Sequence, residues 1–348
     1  MTQLRVGILG YGIGGRVFHA PLVAATPGLT VSAIVTANPE RARQAADDHP
    51  GATVVADADA LFGLSLDLVV VSTPNRTHVP LALRAVERGT PVVVDKPFAP
   101  TVADGERLVR AAADAGVGLT VFQNRRLDSD FLTVRGVLDS GRLGEVFRFE
   151  SRYDRWVPEP KDNWREFGDP AEAGGLLYDL GAHIVDQALT LFGPVTEVYA
   201  ELDRRRAGVS VDDDTFVALH HANGVRSHLW TSALAGTQNP RFRVLGDAGT
   251  FTKYGLDVQE PQIKDGMRPG DEGWGVEPES DAGVLGVGDN VVTVPTETGR
   301  YEDFYAQTRD ALLGEGEFPV DPASALEALR VLEAARVAGT ERRVVELA

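Results

Sequence analysis

In the first third of the chain, apolar residues fall in short unbroken runs. These are Leu4–Leu9, Thr30–Thr36, Ala52–Ala56, Asp67–Ser72, Pro91–Asp95 and Val117–Phe122. Segments of helical period lie between them, notably Glu40–Asp48, Val79–Arg88 and Val102–Ala115. Leu68-Val69-Val70-Val71 and Val92-Val93-Val94 show no polar alternation. Strands of that kind are buried on both faces, as in a parallel sheet covered by helices on each side. The pattern predicts a doubly wound α/β domain with about six strands.

After Phe122 the pattern changes. Val146–Trp156 and Val195–Leu202 read as long strands, and Thr215–His221 and Arg226–Ala233 flank Ala222-Asn223-Gly224. Asn-Gly between two such runs is a strong hairpin signal. Phe242–Leu245 and Thr250–Tyr254 flank a second turn, Gly246-Asp247-Ala248-Gly249. Consecutive strands of this kind predict an α+β domain around an open, mainly antiparallel sheet. The boundary is placed between residues 122 and 123, giving domains 1–122 and 123–348. The stretch Gly255–Pro295, rich in Gly, Pro and acidic residues, reads equally as an excursion ordered by packing or as a mobile surface loop. Two helices are expected at Tyr301–Leu313 and Ala323–Ala338, the second framed by Asp321-Pro322 and Gly339.

The first strand runs directly into Gly10-Tyr11-Gly12-Ile13-Gly14-Gly15, and Ile13–Ala25 reads as a helix. Strand, G-x-G-x-x-G and helix in that order form the dinucleotide fingerprint. Gly10 allows the turn, Gly12 lets backbone approach a pyrophosphate, and Gly15 permits close helix–strand packing. The helix N-terminus attracts the phosphates. The first domain therefore reads as dinucleotide-binding.

Composition narrows the field. With 348 residues, two domains are the expectation. The formal charge of −17 argues against nucleic acid or an anionic membrane as partner. The chain has no cysteine, which excludes disulfides, thiolate catalysis and cysteine zinc sites. No secretory signal or membrane span is visible, so the cytoplasm is the expected location.

Cofactor choice is expected to be written at the end of the second strand. An NAD enzyme usually places Asp or Glu there for the ribose 2′-OH. Here Thr36, Ala37 and Asn38 follow the strand, with Arg41 and Arg43 just beyond. Thr36 and Asn38 can donate to a 2′-phosphate and Arg41 can add charge, so NADP is preferred over NAD. Glu40 competes but lies in the expected first helical turn. Ser72, Thr73, Pro74 and Asn75 follow the fourth strand, with His78 behind them at the entry to the next helix, where packing also explains it. Asp95, Lys96 and Pro97 end the fifth strand at the same edge. A lysine there could hold a substrate hydroxyl and stabilise developing alkoxide charge. All these strand ends are candidate cofactor contacts. Further on, Asp179 and His183 are four residues apart, which on a helix puts them on one face. Such a pair suits acid/base work on a hydroxyl, and equally suits a helix N-cap beside a packed histidine. No further His or Glu shares that spacing, so no metal site is expected.

Together, the glycine motif, Asp95-Lys96-Pro97 and Asp179-x-x-x-His183 resemble the glucose–fructose oxidoreductase/inositol dehydrogenase family. Val17-Phe18-His19-Ala20-Pro21-Leu22, Phe122–Phe131 and Asp162-Asn163-Trp164-Arg165 are similar to its NADP-dependent scyllo-inositol dehydrogenase branch. The family more often carries Glu-Lys-Pro, from which Asp95 departs by one methylene. The resemblance implies hydride transfer between NADP(H) and a secondary alcohol of a cyclitol or sugar, most simply scyllo-inositol or a related polyol. It implies that Lys96 hydrogen-bonds the reacting oxygen, that His183 is the acid/base group, and that Asp179 positions His183 or a substrate hydroxyl. Trp164 and Arg165 would approach the nicotinamide end, and Arg125, Asp128, Tyr153 and Asn163 would line the substrate pocket. The resemblance also implies that the second domain, 123–348, binds the substrate and forms a homodimer or homotetramer through its sheet. Two rivals share the family: a nicotinamide-dependent glycosidase and a non-catalytic cofactor-sensing regulator. The presence of Lys96, Asp179 and His183 weighs against the regulator.

Overall fold

The computed structural model describes residues 3–161, 166, 168 and 172–347. Asn163, Trp164 and Arg165 lie outside the described residues. The chain divides into two compact units.

The first unit is built on six parallel strands: β1 (Leu4–Leu9), β2 (Leu29–Val35), β3 (Thr53–Val55), β4 (Leu68–Val71), β5 (Val92–Val94) and β6 (Leu119–Val121). Their order is β3-β2-β1-β4-β5-β6. All four residues of β4 and all three of β5 are buried, as their unbroken apolar runs require. The order reverses between β1 and β4, which opens a crevice at the carboxyl ends of those strands. Connecting the strands are α1 (Ala20–Ala25), α2 (Pro39–Asp48), α3 (Ala58–Phe62), α4 (His78–Val86) and α5 (Val102–Ala115). The helix expected from Ile13 starts there, Arg16 N–H bonding the Gly12 carbonyl at 2.9 Å, but it does not continue as a regular α-helix. Gly14–His19 forms a wider π turn, with Ala20 N–H bonding back to the Gly15 carbonyl, before α1 takes over. Such turns gather at functional sites.

Neither unit is one continuous stretch of chain. The first comprises residues up to Leu127 together with Gln259–Trp274 and Arg300–Leu326. Side chains of the late segments explain their place there. Phe122 packs edge-on to Phe304 at 4.9 Å, and Phe18 lies 6.3 Å from Tyr301. The Thr120 hydroxyl donates to the Val320 carbonyl at 2.8 Å. The second unit comprises Asp128–Val258, Gly275–Gly299 and the chain from Glu327 onward.

That second unit holds a nine-stranded sheet of order β14-β13-β12-β11-β7-β10-β9-β8-β15. Its strands are β7 (Val146–Asp154), β8 (Val195–Asp203), β9 (Asp214–His221), β10 (Arg226–Ser232), β11 (Phe242–Gly246), β12 (Thr250–Lys253), β13 (Gly283–Val287), β14 (Asn290–Val294) and β15 (Val345–Glu346). Every pairing is antiparallel except β7 with β10. Both sequence-predicted hairpins form, and Gly224 takes φ +89° at the Asn-Gly turn. Two helices of this unit are α6 (Ser129–Asp139) and α7 (Ala182–Phe192).

Gly255–Pro295 is not a structureless loop. It contributes a short helix, α8 (Gln259–Lys264), and the β13–β14 hairpin. Lys253 and Glu277, both fully buried, pair at 2.6 Å and tie part of it to the second unit. Among the late helices, α9 spans Glu302–Leu312 and α10 spans Pro322–Glu341. Gly339 does not end α10 as expected. It lies inside the helix, where a Cβ would stand 2.7 Å from Leu202, so its smallness serves a close helix-to-strand approach.

Candidate functional site

In the first unit the candidate residues gather where β1, β2, β4 and β5 end. Gly10 takes φ +101°, and a Cβ there would collide with the Ser72 carbonyl. A Cβ at Gly15 would collide with the Gly10 carbonyl, and one at Gly14 with the side chains of Ser72 and Asp95. These glycines are demanded by the protein itself. Gly12 differs, since among the described residues no atom lies within 4 Å of the place its Cβ would take. Only a group arriving from outside would require glycine there, and a pyrophosphate is such a group. Ile13 is 58% exposed beside it, and Tyr11 is buried with its hydroxyl donating to Asp48 at 2.8 Å. The residues present therefore fit a dinucleotide.

At the end of β2, Asn38 caps α2, its Oδ1 accepting from Glu40 N–H at 3.0 Å and Arg41 N–H at 2.9 Å. The geometry leaves its amide nitrogen as a donor, and Thr36 Oγ1 accepts from Asn38 N–H at 3.3 Å. Arg41 is exposed, and Glu40 sits in the first turn of α2. At the ends of β4 and β5, Asp95 binds the neighbouring chain together. Its Oδ1 accepts from Lys96 N–H at 2.8 Å, and its Oδ2 accepts from the Ser72 hydroxyl at 2.9 Å. His19 Nε2 lies 3.4 Å from Oδ2, and His19 Nδ1 is 2.6 Å from the Tyr305 hydroxyl. Burial alone would raise the Asp95 pKa, but His19, with His78 and Lys96, holds it well below the usual carboxylate range. Asp95 is thus an ionised anchor behind Lys96. Thr73 and Pro74 stand between Ser72 and the buried Asn75 in the loop. The bond joining Lys96 and Pro97 is cis.

Some candidates are held elsewhere. His78, named above among cofactor contacts, is 1% exposed, and each of its ring nitrogens faces a backbone carbonyl. It supports the loops from behind. Arg125, expected in the substrate pocket, is buried in the first unit and bonded to Glu260 at 2.6 Å and to the Tyr301 hydroxyl at 3.0 Å. Burial raises the Glu260 pKa, yet Arg125 and Lys264 outweigh it and bring it to about 2. This arginine is committed to an ion pair.

In the second unit, Asp179 lies within a π turn, Leu177–Gly181, and His183 is the second residue of α7 and 5% exposed. The N-cap reading of Asp179 is corrected here. Leu176 occupies the cap position, and the helix start is capped instead by Asp212, whose Oδ2 accepts from Leu177 N–H at 2.7 Å. No sequence signal could have found Asp212, which lies 35 residues away. Burial raises its pKa to about 6. The folded state therefore binds a proton on Asp212 that the unfolded state releases near pH 4. Stability on this account falls as pH rises from about 4 to 6 and is level above. Asp212→Asn keeps an acceptor for Leu177 and should flatten that slope, read as melting temperature against pH.

Four residues after His183, Gln187 receives a 3.0 Å bond from Arg241. Arg241 also holds Asp130 at 3.1 Å and the Ser151 hydroxyl at 2.5 Å, fixing α7, α6 and β7 to one another. Tyr153 is buried with the Arg155 and Arg241 guanidinium carbons each 5.1 Å from its ring centroid. Asp128, also buried, immediately precedes α6. Lys96 belongs to the first unit, and Asp179 and His183 to the second. Among the described residues no group of three or more His, Cys, Asp or Glu could hold a metal ion, and no helix is long and apolar enough to cross a membrane.

Comparison with known proteins agrees with this architecture. The oxidoreductase YdgJ of Escherichia coli is 41% identical over 95% of this chain and 95% of its own length. The scyllo-inositol 2-dehydrogenase (NADP(+)) IolW of Bacillus subtilis is 33% identical, covering 100% of this chain and 97% of the relative. The solved structure of yvaA from Bacillus subtilis superposes with a TM-score of 0.94 at 32% identity, covering 100% of this chain and 99% of that one. Residues 4–123 match the oxidoreductase family with an NAD-binding Rossmann fold, and residues 131–252 match the GFO/IDH/MocA C-terminal domain. The chain is a member of the GFO/IDH/MocA oxidoreductase family.

Proposed function

We propose that this oxidoreductase is an NADP-dependent dehydrogenase acting on a secondary alcohol of a cyclitol or sugar, with scyllo-inositol or a related polyol as the substrate class. The observation that carries the reading is the end of β2, where Thr36, Asn38 and exposed Arg41 stand and no carboxylate occupies the ribose position. The relative IolW, named for scyllo-inositol and NADP(+), supports both cofactor and substrate class.

In this reading Gly10–Gly15 and the loops after β4 and β5 hold the cofactor. When bound, its nicotinamide supplies hydride acceptance or donation at C4. The Lys96 ammonium donates to the substrate oxygen and stabilises its growing negative charge. His183 takes the hydroxyl proton as the C–H bond gives up its hydride, leaving a carbonyl, and returns the proton in reduction. Asp179 orients His183 or binds a neighbouring hydroxyl. A panel of inositol isomers and aldoses, followed at the NADPH absorbance, tests the assignment. Absence of NADPH formation with every polyol would overturn it.

Cofactor preference has its own test. NADP should bind more tightly than NAD, and Thr36→Asp should reverse the order by repelling the 2′-phosphate. Equal affinities of the native protein for both, by calorimetry, would count against the assignment.

Assembly is proposed through the large sheet. One face carries Phe216, Trp230, His228 and Tyr199, with Phe216 and Trp230 rings 5.1 Å apart and the Arg152 guanidinium 3.8 Å above Trp230. These rings are only partly buried within the unit. Aromatics and arginine of this kind are typical of interface cores. Light scattering should report a dimer or tetramer, and a concentration-independent monomer mass would end the idea.

A further inference from the structure

His78 has a hydrogen-bonding problem that a neutral imidazole cannot solve. Its Nδ1 lies 3.0 Å from the Pro97 carbonyl oxygen and its Nε2 lies 2.8 Å from the Thr73 carbonyl oxygen. Carbonyl oxygens only accept. A neutral ring carries one N–H and one lone pair, so one of these contacts would set a lone pair against an oxygen. The ring is 1% exposed, and no solvent can relieve that repulsion. An imidazolium, with two N–H groups, satisfies both carbonyls at once.

We infer that His78 is held as an imidazolium and acts as a positioning residue, clamping the loop after β4 to the loop after β5. The two carbonyls belong to segments that frame the proposed site. Thr73 lies between Ser72 and Asn75, and Pro97 directly follows Lys96. Fixing both carbonyls to one rigid ring fixes the distance between the loops, and with it the direction from which Lys96 leaves the chain. That last consequence rests on the reading of Lys96 given above.

The two carbonyl contacts, at 3.0 and 2.8 Å, are what require the second N–H. Burial is the largest influence on His78 and lowers its pKa from the ordinary value, against the Asp95 carboxylate and both carbonyls, which favour the charged form. His19, on the π turn, opposes it weakly and is itself turned toward Asp95. Lys96 also acts on Asp95. Asp95 is ionised and only partly exposed, its side chain 19% accessible, so a nearby cation stabilises it. His78 provides one without occupying either Asp95 oxygen, which leaves them for Lys96 N–H and Ser72.

Nitrogen-15 spectra of the full-length protein labelled at histidine test the charge directly, with His78 assigned by its loss in His78→Gln. Both ring nitrogens should show attached protons at pH 7. A lone-pair nitrogen in the His78 ring at that pH would overturn the inference. This reading needs no substrate, so it is independent of whether a polyol is oxidised. The positioning role is tested in His78→Gln and His78→Ala at a temperature where circular dichroism shows them folded. Turnover should drop about tenfold or more, since misplacement of a reacting group by about 1 Å costs on the order of 10²-fold. KM for the polyol should change far less. Native turnover in a folded His78→Ala protein would overturn the clamp, whereas wild-type protein inert toward all polyols would overturn the functional reading instead.

Discussion

Replacing His183 with alanine is expected to reduce turnover by on the order of 10²-fold or more, the range for removal of a general acid/base group. Lys96→Ala should do the same by removing the donor to the reacting oxygen. NADP affinity should change little in either variant, because the glycine turn and the end of β2 are untouched. The informative control is Asp179→Ala. Asp212, not Asp179, caps the helix start, so this variant should keep its melting temperature while losing activity. A fall in stability matching its fall in rate would assign Asp179 a structural role. Native turnover of scyllo-inositol or a related polyol by His183→Ala would remove the acid/base assignment.

The second large effect separates two glycines three residues apart. Gly15→Ala should fail to give soluble folded protein or should melt far lower, because its Cβ would meet the Gly10 carbonyl. Overpacking against rigid backbone costs about 1–3 kcal/mol or more. Gly12→Ala should fold and melt like the native chain, since among the described residues nothing lies within 4 Å of its Cβ position. It should nevertheless bind NADP about tenfold less tightly or worse, equivalent to about 1.4 kcal/mol. The pair of measurements is calorimetric affinity beside thermal melting. Unchanged affinity in Gly12→Ala would mean that the pyrophosphate does not pass over this turn.

Much of the first unit was legible because its signals are local. A Val run of only three or four residues bounded by turn residues is too short for a helix and reads as a doubly buried strand. A cofactor loop following such a strand is located as soon as the strand is, which is why Ser72 and Lys96 could be placed at the ends of β4 and β5. The Asn-Gly hairpin was equally local, since Gly224 alone meets the positive φ that the turn demands. Departures came where a neighbour distant in sequence decided the outcome. Gly339 looked like a helix stop but is a packing glycine, because Leu202 occupies the space its side chain would need. Arg125 was read as a pocket residue, and its partner in the fold, Glu260 at 2.6 Å, comes from a stretch of chain that pattern alone left undecided.

By itself, then, the sequence determined the two sheet types, the strand ends that carry the candidate chemistry, the absence of a carboxylate after β2, and the family. Those depend on period, on glycine's freedom at φ and on residue identity, all of which act over a few positions. Tertiary structure alone decided that residues 259–274 and 300–326 join the first unit, that Asp212 caps the helix bearing Asp179, and that Asp95 is ringed by His19, His78 and Ser72. Such contacts join residues tens to hundreds of positions apart. They are selected by burial of apolar surface and by the need of every buried polar atom for a partner, and the local pattern shows that a position is buried but not which distant residue it meets.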